Sequence, residues 1–195
     1  MPDGSSARRA GTGRLPGGLR LTWTVADGSR GRRWRSVTTE ADGRVTLSLL
    51  LEVEPDGSLA KLEASAPVGL LTLHPEGETL HGNVVRSSDI RHVALPARDG
   101  LVAVDGSPVA LAVVAGSLAG RVAVGQGIEA RGVAVDAGLV VRDAAWRIER
   151  VGERSWRFQP ADNGEPLALE LDGDGVPVLG DGVSWLLEVP GEAHG

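Results

Sequence analysis

The most constraining feature of this chain is the dipeptide Asp-Gly, which occurs nine times. Most copies lie between short runs of Val, Leu, Ile and Trp, and they begin at Asp3, Asp27, Asp42, Asp56, Asp99, Asp105, Asp172, Asp174 and Asp181. Tight hairpin turns need a positive φ angle, which Gly adopts without steric cost and Asp tolerates. A chain interrupted this often, with no long helical pattern between the turns, predicts antiparallel β meanders.

Length and composition limit what such a meander can be. The 195 residues suit one domain or two fused halves, and the absence of Cys excludes disulfide bonds and thiolate metal sites. The formal net charge of −6 argues against general binding to nucleic acids or anionic membranes. Because no apolar run reaches the length of a membrane helix or a signal-peptide core, we expect a cytoplasmic protein with no integral membrane segment.

The apolar pattern divides the chain into two tails and one folded region. Residues 1–19 are rich in Gly, Arg, Ser and Pro, which predicts a disordered tail, and residues 191–195 form a second tail. Residues 20–190 predict a single β-rich domain, an all-β antiparallel meander that forms a strongly curved sheet or flattened barrel. We also expect strands in the Ala-rich segment 106–120, because Gly and Pro interrupt any helical pattern there and its Val content favours a strand.

Two tryptophan pairs suggest an internal duplication. Trp23 and Trp34 are joined by a turn-rich linker, and Trp146 and Trp156 repeat this arrangement with offsets of 123 and 122 residues. Each pair is followed by an alternating Leu-x-Leu strand. The pattern is compatible with a pseudo-repeat between residues 20–115 and 140–190, and equally with two independent Trp-containing hairpins.

Histidines and carboxylates are the candidate groups for chemistry. His74, His81 and His92 lie within nineteen residues, but their spacing matches no known ligand motif, so we predict no metal site and no cofactor. The carboxylates of the C-terminal Asp-Gly pairs are better explained as turn residues than as a catalytic pair. Asp89 and His92 remain as a candidate acid–base pair, although their odd separation on one predicted strand directs them to opposite faces.

The residues best suited to contact a ligand are tryptophans with arginine neighbours. These pairs are Trp34 with Arg35, Trp146 with Arg147, and Trp156 with Arg157. A curved sheet with few bulky side chains leaves room on its concave side, where Trp supplies apolar area and one N–H donor. The basic run over residues 30–35 is compatible with phosphate or nucleic-acid contact, but in an acidic chain a solvated turn is the simpler interpretation.

Three stretches between residues 30 and 189 resemble a bacterial family of glycolipid-binding proteins. They are Arg33-Trp34-Arg35, then Leu71-Thr72-Leu73 leading into Asp89-Ile90-Arg91-His92-Val93-Ala94-Leu95, and finally Leu169-Glu170-Leu171-Asp172-Gly173-Asp174-Gly175-Val176 followed by Trp185. Residues 96–100 read Pro-Ala-Arg-Asp-Gly where the family has a Thr-Pro-Phe-Thr-Asn-Thr stretch. The resemblance implies an open, curved, lipid-accepting sheet, similar to that of periplasmic lipoprotein carriers, and a binding function.

These observations predict a non-enzymatic protein that binds an amphipathic ligand, a glycolipid or a fatty acyl compound, in an apolar cavity of the sheet. The expected apolar lining consists of Val45, Leu47, Leu49, Leu71, Leu73, Leu169 and Leu171. The expected ligand contacts are Trp34, Arg35, Asp89, Arg91, Trp146, Trp156 and Arg157. Two alternatives remain, a hydrolase or isomerase that uses Asp89 and His92, and a structural or partner-binding β module. No nucleic-acid partner is expected, and the sequence does not determine the oligomeric state.

Overall fold

Strands dominate the computed structural model, which describes residues 8–87, 89–96, 100–162, 164–178 and 186–188. They form a large antiparallel meander and a smaller curled sheet, with one α-helix among the residues described. The predicted all-β fold with strong curvature is therefore confirmed.

Eight of the nine strands of the first sheet pair in chain order, each antiparallel to the next. A short 3₁₀ turn at Pro16–Gly18 joins the first two strands. The strands are β1 (Arg8–Arg14), β2 (Arg20–Gly28), β3 (Gly31–Thr39), β4 (Val45–Val53), β5 (Leu59–Ala66), β6 (Gly69–Glu76), β7 (Thr79–Arg86) and β8 (Asp89–Pro96).

The second sheet begins with a β-α-β unit and continues as an antiparallel meander. Its first two strands are parallel, and the helix connects them. The elements are β9 (Leu101–Val104), α1 (Pro108–Leu118), β10 (Gly127–Val135), β11 (Val141–Arg150), β12 (Ser155–Pro160), β13 (Leu167–Leu171) and β14 (Pro177–Val178). The last strand, β15 (Leu186–Glu188), returns to the first sheet and pairs with β1.

The Asp-Gly pairs lie where the sequence predicts them. Those that begin at residues 27, 42, 56, 172 and 174 are at reversals between strands, and Asp105-Gly106 joins β9 to α1. Gly43 and Gly57 both have a φ of +89°, a conformation that Gly adopts without strain. The copies at residues 3, 99 and 181 lie outside the described residues.

The prediction of a disordered tail is wrong for residues 8–14, which form β1. On the inner face of β1 the buried positions are Gly11 and Gly13, which lie opposite Trp23 and Leu21 of β2. Because those large neighbours fill the space, the strand needs no apolar side chains of its own there. Its composition therefore resembled a tail. Residues 1–7 and 191–195 lie outside the described part of the chain.

The prediction of strands over residues 106–120 is also wrong, because α1 occupies most of this segment. The helix has a regular start: Ser107 is the N-cap and its hydroxyl accepts a hydrogen bond from the Ala110 N–H at 3.2 Å, and Pro108 follows at the first helical position. Val109, Ala110, Ala115 and Leu118 are fully buried. Burial on nearly all sides favours a helix, which satisfies its own backbone hydrogen bonds, despite the Val content.

One hydrophobic core connects both sheets with α1. Most of the predicted apolar lining belongs to this core: Leu47 is partly buried, and Leu49, Leu71, Leu73, Leu169 and Leu171 are buried. Val45 is the exception, with 45% of its surface exposed, because a register shift after Thr38 displaces the start of β4.

The two tryptophan pairs both lie on hairpins. Trp23 and Trp34 are on β2 and β3, with ring centres 6.1 Å apart, and Trp146 and Trp156 are on β11 and β12. Each hairpin is followed by a third antiparallel strand, β4 or β13. This arrangement is compatible with duplication, which stays a prediction.

Among the residues described, no helix has the length and apolar character needed to cross a membrane.

Candidate functional site

The helix α1 lies against the concave face of the second sheet. Arg150, on that face of β11, donates hydrogen bonds to the carbonyl oxygens of Ala119 and Val122, at 2.9 and 3.2 Å, just beyond the helix. On the other side, Gly57 of the first sheet approaches so closely that a β-carbon there would lie 3.4 Å from the Cα of Ser117. The helix therefore fills part of the hollow that the sequence predicts.

A cavity of about 580 Å³ remains beside the first turns of α1. Its walls come from β9 to β13, the N-terminal half of α1, and Pro16 in the turn between β1 and β2. This volume is within the range of about 300–1,000 Å³ that is usual for small-molecule sites. The part of the concave face that α1 leaves uncovered is therefore large enough for a ligand.

Small side chains create the space in this cavity. Ala103 of β9, Ala134 of β10 and Ala144 of β11 line it where larger residues would fill it. The larger apolar side chains of the wall are Trp146, Phe158, Leu111 and Leu167. Trp146 is only partly buried, so its ring is accessible from the cavity.

Four charged residues line the cavity: Asp105, Arg142, Asp143 and Asp162. The pKa of Asp105 is raised, mainly because the carboxyl group is partly buried. The positive charge of Arg142 opposes this rise, and the carboxylate of Asp136 adds to it. Three carboxyl groups and one guanidinium group give the polar part of the site a net negative charge.

A second cavity of about 430 Å³ lies on the other side of α1, where Trp34 lines it together with Ala112 and Val113. Its polar wall is already engaged in internal contacts. The Arg32 guanidinium lies 5.7 Å from the centre of the Trp34 ring, pairs with Asp27 at 2.6 Å and donates to the carbonyl of Asp174 at 2.6 Å. We interpret this region as a structural junction between the two sheets.

The structure does not bring the predicted ligand contacts together. Trp146 lines the cavity of about 580 Å³, and Trp34 lines the one of about 430 Å³. Trp156 is buried, and the Arg150 guanidinium lies 5.5 Å from the centre of its ring. The remaining candidates are exposed residues that line neither cavity, namely Arg35, Asp89, Arg91 and Arg157.

Asp89 and His92 do not form an acid–base pair. Asp89 is bound to Arg91, with Oδ2 and Nε 2.6 Å apart, and both Asp89 and His92 are exposed on β8. Their separation of three positions directs the two side chains to opposite faces of the strand. The geometry therefore does not favour the enzyme alternative.

The three histidines form a row across β6, β7 and β8. The ring centre of His81 lies 6.4 Å from that of His74 and 5.8 Å from that of His92. Within the described ranges, no group of three or more His, Asp or Glu residues is arranged to hold a metal ion.

Sequence reasoning missed several cavity residues. Asp105 and Arg142 come from the ends of separate strands, so only the pairing of β9, β10 and β11 brings them together. One sequence signal was available: Asp105-Gly106-Ser107-Pro108 is a turn followed by a helix start, and it places residues at the mouth of a β-α-β unit.

Comparisons with known proteins do not assign a family. No protein-family model, no curated protein and no solved structure matches this chain. The resemblance to glycolipid-binding proteins therefore stays an expectation, and the argument for function depends on the cavity.

Proposed function

We propose that this protein binds an amphipathic ligand without chemical conversion, with the apolar part of the ligand in the 580 Å³ cavity. The observation that carries the proposal is this cavity, in which a partly exposed Trp146 and several alanines face open space. Burial of acyl carbons contributes about 0.8 kcal/mol per CH₂ group, so eight buried groups would contribute about 6 kcal/mol before the costs of association.

The charges of the cavity favour a glycolipid over a free fatty acid. The carboxyl groups of Asp105, Asp143 and Asp162 would repel an anionic head group, and Arg142 is the one cation among the described residues that line this site. Carboxylates accept hydrogen bonds from hydroxyl groups, which a sugar supplies in number. A neutral, hydroxylated head group is therefore the better partner.

Titration with alkyl glucosides below their micelle concentration, followed by Trp fluorescence and calorimetry, tests the proposal. Octyl glucoside should bind saturably and more tightly than octanoate. Ala144→Phe fills the cavity and should weaken glucoside binding at least ten-fold. Ala137→Phe places the same side chain on an exposed turn and should leave binding unchanged.

Two outcomes would contradict the proposal. One is the absence of saturable binding for both the glucosides and the fatty acids. The other is equal affinity for the wild type and Ala144→Phe, since that result would place the binding outside the cavity. Thermal unfolding of each variant shows whether the substitution has preserved the fold.

A further inference from the structure

The outer face of β1, β2 and β3 carries five arginines, which we call the arginine face: Arg8, Arg14, Arg20, Arg33 and Arg35. All five are exposed and alternate along their strands with inward-facing positions. The pairing places Arg14 directly opposite Arg20, and both Arg8 and Arg33 opposite Ala26. No Asp or Glu occupies an outward position on these three strands, because Asp27, their single acidic residue, lies on the same side of β2 as the buried Trp23 and Val25.

The arginine face is compact enough to contact one extended surface. Three neighbouring strands span about 10 Å across the sheet, and the six steps from Arg8 to Arg14 span about 20 Å along it. Thr12, Thr22 and Thr24 lie between the arginines and add hydroxyl groups to the same surface.

Most of these charges have no partner among the residues that the structure describes. Arg33 pairs with Glu52 of β4. Among the residues that the structure describes, no hydrogen bond or ion pair engages the guanidinium groups of Arg8, Arg14, Arg20 or Arg35. Like charges on adjacent strands repel each other, so this face gains from an external anionic partner. In a chain with a net charge of −6, the arginine face is a local reversal of the overall charge.

We propose that the arginine face docks onto an anionic lipid bilayer. Arg14 ends β1 and Arg20 begins β2, and the turn between them carries Pro16, which lines the ligand cavity. A membrane in contact with these arginines would therefore lie beside the cavity. Guanidinium groups bind phosphate oxygens of lipid head groups in bidentate geometry.

The choice of a membrane over another polyanion rests on the proposed function, since a carrier of amphipathic ligands must meet the bilayer that holds them. The composition of the face agrees with this choice. No aromatic side chain points outward on β1, β2 or β3, because Trp23 and Trp34 are both buried inward, so the face has no stacking platform for bases.

Flotation with lipid vesicles tests the inference. The wild type should bind phosphatidylcholine vesicles that contain about 30% phosphatidylserine and not those of phosphatidylcholine alone, because surface charge drives the association. High salt should release the protein from these vesicles, because it screens the attraction between the charges. Each arginine near such a surface strengthens partitioning about five-fold, so the triple variant Arg14→Gln, Arg20→Gln, Arg35→Gln should bind roughly 100-fold more weakly.

The matched control changes the net charge equally at exposed arginines elsewhere, as Arg44→Gln, Arg131→Gln and Arg147→Gln. If the position of the arginines, and not the net charge alone, determines vesicle binding, this control variant should bind with an affinity within about two-fold of that of the wild type. Equal loss in both triple variants, no vesicle binding by the wild type, or tighter binding to a short DNA duplex than to vesicles would each overturn the inference. The vesicles contain no glycolipid, and glucoside binding is measured without vesicles. Failure of docking is thus distinguishable from failure of the cavity proposal.

Discussion

Asp172 holds together the turn through which the second sheet contacts the first. Its Oδ1 accepts hydrogen bonds from the N–H groups of Asp174 and Val176, both at 2.9 Å, and its Oδ2 lies 2.7 Å from an Arg9 nitrogen. Arg9 also donates to Asp174 at 2.8 Å, and Arg32 donates to the Asp174 carbonyl. Replacement of Asp172 therefore tests whether this turn stabilises the junction between the sheets.

Two substitutions at Asp172 separate the contributions. Asp172→Asn keeps an oxygen for the two backbone donors and removes the ion pair, so we expect a loss of about 0.5–1 kcal/mol in the free energy of unfolding. Asp172→Ala also leaves the N–H groups of Asp174 and Val176 without their acceptor, and we expect a loss of about 2–3 kcal/mol. Denaturant titration followed by Trp fluorescence measures both, and Arg9→Gln combined with Asp172→Asn completes a double-mutant cycle.

The contribution of the Asp172 charge depends on pH. Burial raises the pKa of this carboxyl, but the hydrogen bonds from Arg9 and from the backbone of Val176 and Asp174 outweigh burial and hold the pKa below its ordinary value. A lowered pKa means that the stabilisation is fully present above the unfolded value of about 3.9 and is lost as the pH falls below it. The gap between the wild type and Asp172→Asn should therefore narrow below about pH 4.

Three results would refute this reasoning. If Asp172→Ala were no more destabilising than Asp172→Asn, the backbone hydrogen bonds would contribute nothing. If the double mutant showed no coupling between Arg9 and Asp172, the ion pair would be incidental. A gap that kept its size well into acid would show that the Asn variant acts through a change other than loss of charge.

Two glycine substitutions test the packing with opposite expected signs. Gly82→Ala should lower the free energy of unfolding by about 3 kcal/mol, because the added β-carbon would lie 1.8 Å from the Thr72 carbonyl oxygen, a backbone atom of the neighbouring strand. A loss under about 1 kcal/mol in denaturant titration would contradict the tight approach of β6 and β7. Gly116→Ala, in the last turn of α1 with no atom within 4 Å of the added carbon, should raise stability by about 0.5–1 kcal/mol. A lower melting temperature for the Gly116 variant would show that the helix needs the glycine.

The turns and the buried apolar strands could be predicted from the sequence, because both are local signals. Asp-Gly at residues 42 and 56 specifies a reversal, and the alternation from Leu47 to Val53 specifies which side chains enter the core. β1 could not be found in this way, since its inward positions are Gly11 and Gly13 and the bulk that buries them belongs to β2. The arginine face could not be predicted either, because it forms only when β1 pairs with β2 and brings their arginines together.

The site was predictable only in part, because its position follows from how α1 covers the second sheet. A helix of 11 residues is about 16 Å long, whereas six strands at about 4.8 Å spacing extend about 24 Å before curling. The hydrogen bonds of Arg150 hold the chain just after α1 over β11. The face of the sheet near Pro108, at the start of the helix, is therefore only partly covered. There the sheet presents alanines and the partly buried Trp146, and among the described residues no side chain completes the core. The cavity is thus a consequence of a crossover helix shorter than the sheet it covers.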